Sequence, residues 1–70
     1  MNITADDVFK LRSVEHLTQQ AFAEKIGVHH SMICHIERGK VPVSRRLAIR
    51  IVDAFGLTPE RLMELRNLPA

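Results

Sequence analysis

Seventy residues with one cysteine make one small domain, whose core is marginal unless helices pack well or the chain oligomerises; an intrachain disulfide is excluded. The net charge of +2 is small but unevenly placed: residues 1–37 carry three Lys/Arg against five Asp/Glu, and residues 38–70 carry seven against three. No apolar run approaches the roughly 20 residues of a membrane span, and the opening MNITADDVFK is acidic where a secretory signal would be basic, so a cytoplasmic location and no membrane partner are expected.

In chain order, Thr4 followed three residues later by Asp7 resembles a capping box, and Val8, Leu11 and Val14 then repeat at helical spacing. These predict a first helix over about residues 5–15. Thr18 caps a second helix with Phe22, Ala23 and Ile26 on its apolar side, and Gly27 is a left-handed stop. A third helix fits between about His30 and Arg38 and ends at Gly39. Ser44 caps a fourth helix, buried through Leu47, Ala48, Ile51, Val52 and Phe55, with Gly56 behind it. Thr58-Pro59 starts a fifth over about 59–67, carrying Leu62, Met63, Leu65 and Leu68. No strand pattern, repeat or linker intervenes, so residues 1–70 read as a single all-α, five-helix domain.

Two clusters carry chemistry. His29, His30, Cys34 and His35 gather three of the four histidines with the only cysteine. His30 and Cys34, at i, i+4, could share a metal ion, yet a structural zinc takes four ligands and no CxxC or HxxxH partner lies elsewhere. No metal and no cofactor are therefore expected. The second cluster is the run Arg38, Lys40, Arg45, Arg46 and Arg50, which no acid interrupts and which suits a polyanion, or else a solvated helix face. There is no Gly-rich phosphate loop, HExxH or nucleophile elbow, so no catalytic residue is assigned and an enzyme is not expected.

The second and third helices are joined only by Gly27, Val28 and His29, the short connection of a helix-turn-helix. The stretch LTQQAFAEKIGVHHSMICHIERGK resembles the Cro and lambda-repressor type (XRE family) of DNA-binding helix-turn-helix proteins. The matching residues are Leu17-Thr18-Gln19, Ala23 to Val28, Ile33, Ile36-Glu37 and Gly39-Lys40, without a gap, and the resemblance spans about residues 5–56. It implies a lambda-repressor-like fold and a double-stranded DNA operator as partner. Further on, PVSRRLAIRIVDAFGLTPERL resembles the second half of HigA-type antitoxins.

On a helix, Ile33 and Ile36 face inward, while His30, Ser31, Cys34, His35 and Arg38 share the other side at i, i+1, i+4, i+5, i+8. That is the side a recognition helix presents to the major groove. Base readout is thus assigned to His29, His30, Ser31, Cys34 and His35, with His29 standing where the family usually has a Ser or Thr cap, and Cys34 open to the plainer reading of a small interface residue. Phosphate contacts are assigned to Gln19, whose family counterpart grips the backbone, and to Arg38, Lys40, Arg45 and Arg46. The resemblance also implies a structural ion pair between Arg12 and Glu37. A small reader gains affinity and specificity as a symmetric dimer on a pseudo-palindrome, and Leu62, Met63, Leu65 and Leu68 are the candidate homodimer interface. The alternative is an antitoxin; a protein toxin or an antirepressor is then a further partner.

Overall fold

The computed structural model describes residues 2–69. Its helices are α1 (Ala5–Val14), α2 (Gln19–Ile26), α3 (His30–Glu37), α4 (Arg45–Phe55) and α5 (Pro59–Arg66). They pack into a body of 28 × 23 × 21 Å.

Local chemistry sets the helix starts. The Thr4 hydroxyl accepts the Asp7 N–H at 3.2 Å while the Asp7 carboxylate accepts the Thr4 N–H at 2.9 Å, completing a capping box. Thr18, Ser44 and Thr58 cap α2, α4 and α5 through Ala21, Leu47 and Arg61, and Pro59 supplies the preset first turn of α5. Helices α1, α3 and α5 stop one residue short of the expected ends, because Glu15, Arg38 and Asn67 serve as C-caps. Beyond α1 the chain turns through His16, which adopts a left-handed φ of 55° while Leu17 N–H reaches back to the Arg12 carbonyl. Without a glycine, this turn has no marker among its residues.

The core is one cluster fed by every helix: Val8 and Leu11 from α1, Phe22, Ala23 and Ile26 from α2, Ile33 and Ile36 from α3, Leu47, Ala48 and Ile51 from α4, and Leu62 and Leu65 from α5. Each large apolar side chain in it contributes roughly 1.5–3 kcal/mol by leaving water. Phe55 and Val52, expected to be buried, are half-buried; the Phe55 ring stacks on Phe22 at 4.9 Å. The fifth helix requires a correction. Leu62 and Leu65 are 5% and 0% exposed, on the inner face of α5, so they seal the chain's own core and are not spare surface for a dimer. Met63 and Leu68, at 66% and 40%, do face outward.

A polar knot built on the buried Asp7 and the half-exposed Arg66 fastens the two ends. Arg66 donates Nε and Nη2 to the Asp7 carboxylate at 3.1 and 2.9 Å and Nη2 also to the Asn2 carbonyl, while Lys10 Nζ donates to the Arg66 carbonyl at 3.2 Å. Burial by itself would raise the Asp7 carboxyl, but hydrogen bonds from Arg66 and Thr4 outweigh it and hold the group below its ordinary value. This arrangement clamps α5 onto α1.

Candidate nucleic-acid interface

The turn between α2 and α3 is set by Gly27, whose φ of 72° is the left-handed region where a side chain is strained, and by Val28 N–H returning to the Ala23 carbonyl at 3.0 Å. Ile33 and Ile36, fully buried, seat α3 against the core. That leaves His30 and His35 exposed and Ser31 and Cys34 half-buried along the outer side. Four of the five residues read as base contacts thus share one accessible strip. The fifth, His29, stands at the N-cap position: its Nδ1 accepts the Ser31 N–H at 3.2 Å and lies 2.9 Å from the Ser31 hydroxyl. Its ring also lies 4.3 Å from that of His30, tilted by 33°.

The orientation of α3 is held from its other end. Arg12 of α1 donates Nε and Nη2 to the two Glu37 oxygens, both at 2.8 Å, and Nη1 to the Leu17 carbonyl at 3.1 Å. The Gln19 amide reaches the same carboxylate at 3.4 Å. One carboxylate therefore gathers the first three helices. Hydrogen bonding to Glu37 raises Arg12 above its ordinary value, outweighing the desolvation that opposes it. Gln19, read as a phosphate contact, sits in the first turn of α2, beside backbone N–H groups that suit an anion.

Arg38, Lys40, Arg45 and Arg46 are exposed, and among the described residues none of them forms an ion pair. Arg45 and Arg46 occupy the first turn of α4, where no acid is present. A helix N-terminus disfavours cations by roughly 0.3–1 kcal/mol each, so these two are not placed for helix stability. They are well placed for a polyanion.

Two residues outside the sequence-based assignment join this surface. Met32 is exposed, and with Val28, Val41, Pro42, Leu47, Arg46 and Arg50 it lines an open groove of about 450 Å³ between α3 and α4. Arg50 also donates to the Gly27 carbonyl at 3.5 Å, steadying the turn. Its signal was present as the last member of the basic run; Met32 gave none, since an apolar residue at helical spacing reads as core. Among the described residues, no three His, Cys, Asp or Glu side chains converge as a metal ion would need, and no helix is long and apolar enough to cross a membrane.

The helix-turn-helix description matches residues 15–62, more than half of the chain. The chain belongs to the helix-turn-helix family. Its similarity extends to an uncharacterized HTH-type transcriptional regulator of Methanocaldococcus jannaschii, 41% identical over 49 residues that cover 70% of this chain and 74% of that protein. No solved structure matches significantly. The resemblance to XRE-type proteins and the five-helix, lambda-repressor-like fold stand on these findings together with the geometry. In this helix-turn-helix protein, α2 and α3 are the paired helices and α3 is the one whose polar strip is free.

Proposed function

We propose that the protein is a sequence-specific double-stranded DNA-binding transcriptional regulator, acting as a repressor by occluding a promoter. One observation carries this reading: the free side of α3 bears hydrogen-bonding groups, His30, Ser31 and His35, and is bordered by the cations Arg38, Lys40, Arg45 and Arg46. Base edges in a major groove call for the first set and phosphates for the second. Cys34 completes the strip as a small side chain. The protein acts in the cytoplasm as a homodimer on a pseudo-palindromic operator, with Met63 and Leu68 as the exposed apolar contacts of α5.

Selection of bound duplexes from a random pool tests the reading in one step. A recurrent, two-fold symmetric motif supports it; an asymmetric motif removes the dimer, and no enrichment removes sequence-specific binding. A second reading, an antitoxin that covers a protein toxin and represses its own operon, is favoured by Ile49, an apolar side chain of α4 that is 61% exposed. Co-purification with a toxin expressed from a neighbouring gene decides for that reading.

A further inference from the structure

The cap of the recognition helix is a histidine, and its geometry fixes the state of the ring. A backbone N–H can only donate, so the Ser31 N–H at 3.2 Å requires a lone pair on His29 Nδ1. The ring proton must then sit on Nε2. The Ser31 hydroxyl, 2.9 Å from the same Nδ1, can only be donating its own hydrogen there. Its oxygen lone pairs are left for whatever lies beyond the helix.

The geometry points to His29 as a positioning residue for DNA reading: one neutral lone pair both caps α3 and turns Ser31 into a hydrogen-bond acceptor, suited to the amino group of adenine or cytosine on a major-groove edge. This rests on the DNA-binding reading above and adds a dependence that Ser, Thr or Asn at the cap would not have. When a proton enters Nδ1, the nitrogen becomes a donor: the bond from the Ser31 N–H is lost, and the contact with the Ser31 hydroxyl reverses so that its oxygen accepts. The charge then stands at a helix N-terminus, which opposes it. Ser31 is released to donate, and its preference at the base edge reverses.

Several titratable groups sit on the elements meeting at this turn. They are Glu24 and Lys25 in the last turn of α2, with Lys25 Nζ over the Phe55 ring at 5.0 Å, His30 on α3, and Arg46 and Arg50 on α4, with Arg50 held at the Gly27 carbonyl. Among the described residues no carboxylate pairs with His29.

Three measurements on the full chain test this. Nitrogen-15 NMR of the free protein at pH 8 should show His29 as the Nε2–H tautomer; an Nδ1–H tautomer overturns the proposal. Urea stability and affinity for the best selected duplex should then be followed from pH 8 to 5.5 for the wild type and for His29→Asn, which keeps a good cap and every other histidine. The wild type should lose on the order of fivefold more affinity in acid than the variant, because Ser31 no longer accepts at the base edge, with an excess loss of stability of about one N-cap. Equal acid responses, or acid strengthening of the wild type alone, overturn the proposal. Should no duplex bind, the functional reading fails, while the tautomer and stability arms still decide the cap. For the second half, removing the amino group of one base from the duplex should weaken the wild type and leave Ser31→Ala unaffected. A cost that persists in Ser31→Ala overturns the acceptor role.

Discussion

The Arg12 guanidinium meets the Glu37 carboxylate edge to edge, Nε to Oε2 and Nη2 to Oε1, both at 2.8 Å and with side chains only 20% and 9% exposed. Shielded from water on most sides, the pair joins α1 to the end of α3. Glu37→Gln leaves the guanidinium without its counter-charge and should destabilise the fold by about 2–4 kcal/mol in urea denaturation. The Arg12→Met/Glu37→Met double variant should be less destabilised than the sum of the two singles. Additive losses would mean the pair is not coupled.

Acid should release the knot at the other end. Asp7 is held below its ordinary value in the folded chain, so the folded state binds fewer protons than the unfolded one. Its contribution is complete above the unfolded carboxyl value of about 3.9 and disappears as the pH falls through the lower, folded value. Melting temperatures between pH 6 and pH 2.5 should therefore fall more steeply for the wild type than for Asp7→Asn, which has already lost the pair with Arg66.

His35 is exposed on the strip assigned to base edges. His35→Ala should weaken binding to a selected operator by about 1–3 kcal/mol and leave random duplexes nearly unaffected. Competition titrations with both duplexes at one salt concentration measure the difference, and equal losses would reassign His35 to the backbone.

Lys40 follows the left-handed Gly39 and has no ion-pair partner among the described residues. Acting on phosphate, it should matter alike on every sequence. Lys40→Ala should reduce the magnitude of the slope of log K against log salt by about one unit, and an unchanged slope would move it off the DNA.

At His16 the left-handed backbone costs a side-chain-bearing residue roughly 1–2 kcal/mol, partly offset against glycine by the entropy glycine loses on folding. His16→Gly should leave stability equal or raise it by up to about 1 kcal/mol, whereas the β-branched His16→Val should lower it. Thermal melts of the three proteins give the order directly.

What the sequence made legible is what one residue announces to its chain neighbours. Thr4, Thr18, Ser44 and Thr58 carry caps within three residues, and Gly27 and Gly56 mark stops, so helix identities and approximate bounds followed. The spacing of Ile33 and Ile36 likewise placed the free side of α3. Across the chain, the family resemblance supplied one relation, the Arg12–Glu37 pair, but Asp7 and Arg66 lie 59 positions apart, and no periodicity joins them. The same limit misjudged Leu62 and Leu65, since whether an apolar side chain on α5 is covered depends on α1, which packs against it. His29 lay between these cases. Its cap position was legible, but that Nδ1 would take the Ser31 N–H depends on a ring orientation that composition does not encode.

The first turn of α4 places function and durability in opposition. Arg45 and Arg46 stand where acids would suit the helix, so replacing both with glutamate should give a more heat-resistant protein in isolation. The same change would put two negative charges on the surface assigned to phosphates. Conversely, a polyanion seated there would relieve the native pair of its misfit with the helix dipole, so it should be a better thermal stabiliser of the wild type than of a variant whose first turn is already content. Selecting variants for heat tolerance without DNA should therefore favour loss of these arginines, and with them loss of grip, as resistance rises.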